Sequence, residues 1–226
     1  MEYVVSHIPQ GTACNRRSAY KMIPTTITIH NTGNPSSTAR NERDWLTNPS
    51  NARQASFHIV VDERQAIECI PLIENAWHAG DGSGVNSGNR TSIGIEICES
   101  GNYAKTLDNA AELVAKMLKE RGWGTDRLRR HFDWSGKICP RLMYDGGNWT
   151  GWKTFVASVD AKLKPKEDVR MPEEVAVQVD GKKVGVGEIK DGVTKVPVRL
   201  VAEAFGANVL WDAKTRTVNI TKKEAV

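Results

Sequence analysis

The sequence predicts an α/β domain followed by a smaller β-rich unit with one helix, on three observations. Strictly alternating runs at 25–31 (TTITIHN) and 91–100 (TSIGIEICES) read as strands, and helical patterns come after them. A charged stretch with two prolines at 164–174 (KPKEDVRMPEE) then separates these from a tail of short strands. At 226 residues the chain is long enough for one domain of ordinary size and a smaller second one.

The elements follow in order. In the first strand Thr26, Thr28 and His30 share one face and Ile27 and Ile29 the other, and the strand is expected to end at His30. TGNPSST is a turn, and ARNERDWLTN reads as a short helix stopped at Asn48-Pro49. SFHIVVDERQAIECI has two apolar arms around Asp62-Glu63-Arg64-Gln65, a hairpin pattern. GDGSGVNSGNR, residues 80–90, is a loop by composition and of the kind that shapes the mouth of a site. It leads into the second strand, where Ile93, Ile95 and Ile97 point one way and Gly94, Glu96 and Cys98 the other. Thr106 to Arg121 is helical in period, with Thr106 as the expected N-cap and Gly122 as the stop; a further helix is expected over 150–163. Beyond the linker, strands are expected on both sides of Asp180-Gly181, then a strand, a helix and a hairpin turned near Asp212–Thr215. The domains are therefore drawn as 1–163 and 172–226, with 164–171 as linker.

Hydrophobic content of 39% and charged content of 26% are those of a folded chain, and the net charge of +4 favours approach to anionic polymers without choosing among them. MEYVVSHIPQ lacks the basic start and apolar run of a signal peptide, and no stretch has the length of a membrane helix, so neither secretion by a leader nor membrane insertion is expected. The four cysteines are scattered, unlike a disulfide framework, and read as free thiols.

Catalytic zinc commonly takes three ligands from His, Cys or carboxylate and leaves a fourth position for water. His30, His131 and Cys139 would supply such a set, one from a strand end and two flanking the polar segment HFDWSGKICP. Spacing does not single them out: His58 and His78 compete, while His7 lies in a polar N-terminal segment. Cys139 with His131 also fits a metal-free cysteine peptidase. Trp77 and His78, beside the 80–90 loop, are candidate substrate contacts because sugars and peptides are often gripped by aromatic faces next to polar loops.

Five ordered segments, TITIHNTGN, ASFHIVVDERQAIECIP, NAWHAGDGSG, NRTSIGIEIC and HFDWSGKICPRLM, resemble the type-2 N-acetylmuramoyl-L-alanine amidases. That family includes phage endolysins, bacterial autolysins and animal peptidoglycan-recognition proteins, and the likeness is greatest to endolysins of Bacillus phages and prophages. The resemblance covers roughly residues 20–155. It implies a central mixed β-sheet flanked by helices, peptidoglycan rather than nucleic acid as partner, and Zn²⁺ held by His30, His131 and Cys139. It also implies Glu96 as the acidic catalytic residue, Lys137 as a basic one, and substrate contacts at Phe57, His58, Trp77 and His78. Phe57 is a departure, since several members carry a tyrosine there whose hydroxyl assists the reaction. A non-catalytic peptidoglycan-binding protein is the alternative; relatives of that kind lose ligands, whereas all three are retained here.

Residues 172–224 resemble the small domain named for the N-terminal domain of copper amine oxidases, on VQVDGKKV and VPVRLVAEAFGANVLWDAKTRTVNIT. No copper is implied, because the region has no His or Cys. Its position behind a hydrolase implies a wall-targeting module.

Overall fold

The computed structural model describes residues 1–164, 173–190 and 192–222, so the expected linker lies almost wholly outside the described residues. The chain forms two compact units, Met1–Pro165 and Lys166–Val226. Among the described residues no helix is long and apolar enough to cross a membrane.

The first unit is built on strands β1 (Glu2–Val5), β2 (Thr26–Asn31), β3 (Ile59–Val61), β4 (Gln65–Glu68), β5 (Ser92–Ile97) and β6 (Leu128–Arg130), in the order β1-β4-β3-β5-β2-β6. The sheet is mixed: β3 and β4 form the antiparallel hairpin, while β3, β5, β2 and β6 run parallel. Both faces of the central strands are covered, and the period-2 pattern decides by what. Ile27, Ile29, Ile93, Ile95 and Ile97 pack in one cluster with Ala110, Val114 and Leu118 of α3 (Tyr103–Glu120) and with Phe155 and Val159 of α5 (Thr150–Leu163). On the other face α1 (Ala39–Trp45) contributes Ala39 to a second cluster with Val60 and Ile67. The short helices α2 (Gly88–Thr91) and α4 (Phe132–Ser135) each adjoin a strand end. Thr28, His30, Gly94 and Glu96 therefore belong to the face away from α3 and α5.

Asp62 ties the hairpin to α1. One carboxylate oxygen accepts the N–H groups of Arg64 and Gln65, and the other accepts the N–H of Ala39 in the first turn of the helix, at 2.9 Å. The N-cap of helix α3 lies four residues earlier than the apolar period indicates. It is Asn102, whose side chain accepts from Lys105 N–H, and the expected cap Thr106 is instead fully buried in the first turn. Asn serves a helix start as well as Thr, and the apolar stripe lengthens only after Leu107, so the early turn carried no periodic signal.

The second unit holds a three-stranded sheet, β7 (Glu173–Val179), β8 (Lys182–Lys190) and β9 (Val193–Lys195), then α6 (Val198–Ala204) and the hairpin β10 (Ala207–Asp212) with β11 (Thr217–Lys222). Asp180 and Gly181 both take positive φ at the β7–β8 turn, as the tight hairpin requires.

Candidate metal centre and groove

Three neighbouring parallel strands bring the site together. In the β2–β5 register His30 lies opposite Glu96, and in the β2–β6 register Ile29 lies opposite Arg130, so His131 leaves β6 beside His30. The carboxyl ends of parallel strands are a common place for a site, because the connecting loops diverge there. Cys139 returns from the loop after α4, and its carbonyl accepts the N–H of Phe132 at 3.1 Å. Nitrogen and sulfur atoms of His30, His131 and Cys139 all lie within 4.8 Å of one another, and all three residues are buried.

Hydrogen bonding fixes which nitrogens face inward. His78 Nε2 donates to the carbonyl of Ser92 at 3.0 Å, so the neutral ring offers a bare Nδ1, which accepts from His30 Nε2 at 3.1 Å. His30 is thereby left with a bare Nδ1. His131 presents Nδ1 to His30 and Nε2 to the backbone at Gly80, so with its proton on Nε2 its Nδ1 is bare as well. Burial holds these rings neutral: it lowers His30 well below the usual imidazole range, His78 to about 3 and His131 to about 4. Two unprotonated nitrogens then face each other, His30 Nδ1 and His131 Nδ1, at 3.0 Å, with Cys139 Sγ 3.7 Å from the former. Facing lone pairs repel unless a cation sits between them. Tetrahedral zinc with bonds of about 2.0–2.3 Å spaces such donors by roughly 3.3–3.6 Å, so the His30–His131 and His30–Cys139 spacings lie within a few tenths of an ångström of those of zinc. Burial also pushes the Cys139 thiol up to about 12, so the thiolate needs a compensating positive charge.

These atoms open onto a groove of about 320 Å³ that is also lined by Glu96, Lys137, Phe57, Trp77 and His78. Glu96 Oε2 is buried without a hydrogen-bond partner. Its carboxyl is raised to about 8, chiefly by burial, then by Glu42, with Lys137 pulling the other way. Trp77 also walls a neighbouring cavity of about 610 Å³ that contains Gly80, Gly82 and Ser83 of the expected mouth loop.

His58 does not line this groove. It is fully buried, donating from Nε2 to the carbonyl of Glu74 at 2.8 Å and accepting Gly94 N–H at Nδ1 at 2.9 Å, so the backbone takes up both ring nitrogens of this expected substrate contact. Glu42 and Arg53 line the groove and were not foreseen. In the sequence both read as charges of a solvated helix or loop, and only the approach of α1 and its following loop to the strand ends turns them inward.

An α/β domain with a buried pair of imidazoles, a thiol and an isolated carboxylate in one groove is the layout of a metal-dependent hydrolase. The chain belongs to the N-acetylmuramoyl-L-alanine amidase family, whose model matches residues 20–142; residues 178–226 match the copper amine oxidase N-terminal domain. The N-acetylmuramoyl-L-alanine amidase CwlA of Bacillus subtilis (strain 168) is 47% identical over 142 residues, 61% of this chain and 50% of CwlA. XlyB of the same strain is 48% identical over 58% of this chain and 41% of its own length. The chain thus spans about half the length of these curated relatives. Among solved structures, the catalytic domain of XlyA superposes with TM-score 0.63 at 39% identity, covering 70% of this chain and 99% of that one. PlyL gives 0.62 at 36% identity, covering 72% and 99%.

Proposed function

We propose that the chain is a zinc-dependent peptidoglycan hydrolase that cleaves the amide bond between N-acetylmuramic acid and L-alanine, as a phage or prophage endolysin or a bacterial autolysin. The observation that carries this reading is the convergence of His30, His131 and Cys139 beside a carboxylate oxygen of Glu96 that has no partner. Relatives named as amidases of this bond support the choice of substrate.

His30 and His131, through Nδ1, and Cys139, through Sγ, would hold the ion. Bound zinc supplies a Lewis acid for the amide carbonyl and lowers the pKa of water. Glu96 accepts a proton from the attacking water and returns it to the departing L-alanine nitrogen, a task suited to a carboxyl near neutrality, and burial sets its value at about 8. Lys137 places a positive charge at the groove, where it offsets the developing oxyanion. Phe57 has no hydroxyl to share that work and forms part of the apolar wall with Trp77. The second unit holds the enzyme on the wall and raises its local concentration there; the protein acts on the wall after lysis, holin-type release or other export.

The test is incubation of the purified chain with Bacillus cell walls and mass spectrometry of the products. New L-alanine amino termini without new reducing sugar ends are expected. Reducing ends alone would overturn the reading in favour of a glycosidase, and full turnover after removal of metal by a chelator would favour the cysteine peptidase.

A further inference from the structure

A two-residue segment, His78–Ala79, touches both imidazoles of the metal centre. His78 accepts the Nε2–H of His30, and the chain just after Ala79 runs against the second ring, where a Cβ on Gly80 would lie 3.3 Å from His131 Nε2. The segment belongs to no strand or helix, so something else must fix it. That agent is Asn89, which is buried. Its Oδ1 accepts both His78 N–H at 2.6 Å and Ala79 N–H at 2.7 Å, and its Nδ2 donates to the carbonyl of Gly82 at 2.8 Å. Gly94 completes the seat: a Cβ there would lie 2.6 Å from His78 Cγ, so only glycine lets the ring stand against β5.

We infer that Asn89 and His78 are positioning residues for the metal-binding histidines, His78 setting the tautomer of His30 by accepting its Nε2 proton and Asn89 clamping the 78–79 backbone that carries His78 and leads into the stretch against His131. The inference rests on the zinc reading above and deepens it. Outer-shell groups of this kind fix ring orientation and raise ligand basicity, and losing one typically weakens metal affinity about 10–100-fold. An oxygen at the Nδ1 position can do what the His78 ring does, and a carboxylate at position 89 can still accept both N–H groups.

The test measures zinc affinity of the full chain by competition with a chromophoric chelator, in four variants. His78→Leu and Asn89→Leu are expected to lose about 10–100-fold, while His78→Asn and Asn89→Asp recover most of the loss. Wild-type affinity in His78→Leu, or a loss in His78→Asn equal to that in His78→Leu, would overturn the inference. Should the leucine variants not fold, ¹⁵N NMR of the metal-free wild-type protein decides: Nε2–H tautomers are expected at His30, His78 and His131, and an Nδ1–H tautomer at His30 would overturn it. Failure of the wild-type chain to bind zinc at all would sink the proposed function instead, so the two failures are distinct.

Discussion

The two units bury their apolar side chains to different degrees. In the first, the isoleucines of β2 and β5 are inaccessible to solvent, as are Val114 and Leu118 of α3. In the second, Ala202 and Val209 are the buried hydrophobic residues among those described, while Phe205 is 70% exposed, Leu210 68% and Trp211 56%. Unit size accounts for much of this: a chain of about 60 residues buries a smaller fraction of its surface than one of about 160. Holding bare nitrogens and a raised carboxyl in register takes a rigid surround, and only the first unit has one.

The largest expected effect tests whether that surround serves chemistry. Glu96→Gln should keep zinc but lower turnover by about 10²–10⁴-fold, whereas Cys139→Ser should lose most of the metal. A fully active Glu96→Gln enzyme would remove Glu96 from the mechanism. Next, stability should divide between the units: Ile95→Ala is expected to cost about 2–5 kcal/mol in denaturant unfolding, and Trp211→Ala within about 0.5 kcal/mol. Equal costs would erase the contrast.

Acid should expose the same contrast. His58 is fully buried and its pKa is lowered to about 4, so the unfolded chain binds this proton more readily than the folded one. Its stabilising share is complete above about pH 6.5 and is lost as pH falls toward 4, with an upper bound of about 3 kcal/mol. Acid titration of the first unit's unfolding should show this decline, and His58→Gln should lessen it by that share, leaving the part that His30, His78 and His131 contribute in the same direction. The smallest effect expected on the first unit comes from deleting 166–226: hydrolysis of soluble fragments should stay intact while sedimentation with walls weakens. Unchanged sedimentation would remove the targeting role.

Much of this was legible in the sequence because it rests on period and residue type. The alternation in TITIHN and SIGIEI correctly put His30 and Glu96 on the face away from the isoleucines. Asp180-Gly181 marked its hairpin, and the residue types His, His and Cys already belonged to metal chemistry. What spacing left open was which histidines converge, since His58, His78 and His131 looked alike as isolated letters.

Only the tertiary structure decided that. Strand order sets β2 between β5 and β6, and this neighbour relation, invisible to any local pattern, brings His30 beside Glu96 on one side and His131 on the other. The same packing buries His58 behind the groove, turns Glu42 and Arg53 into it, and makes Asn89 a clamp. Local sequence determines the face a side chain takes through the strand period, whereas long-range pairing determines which faces meet.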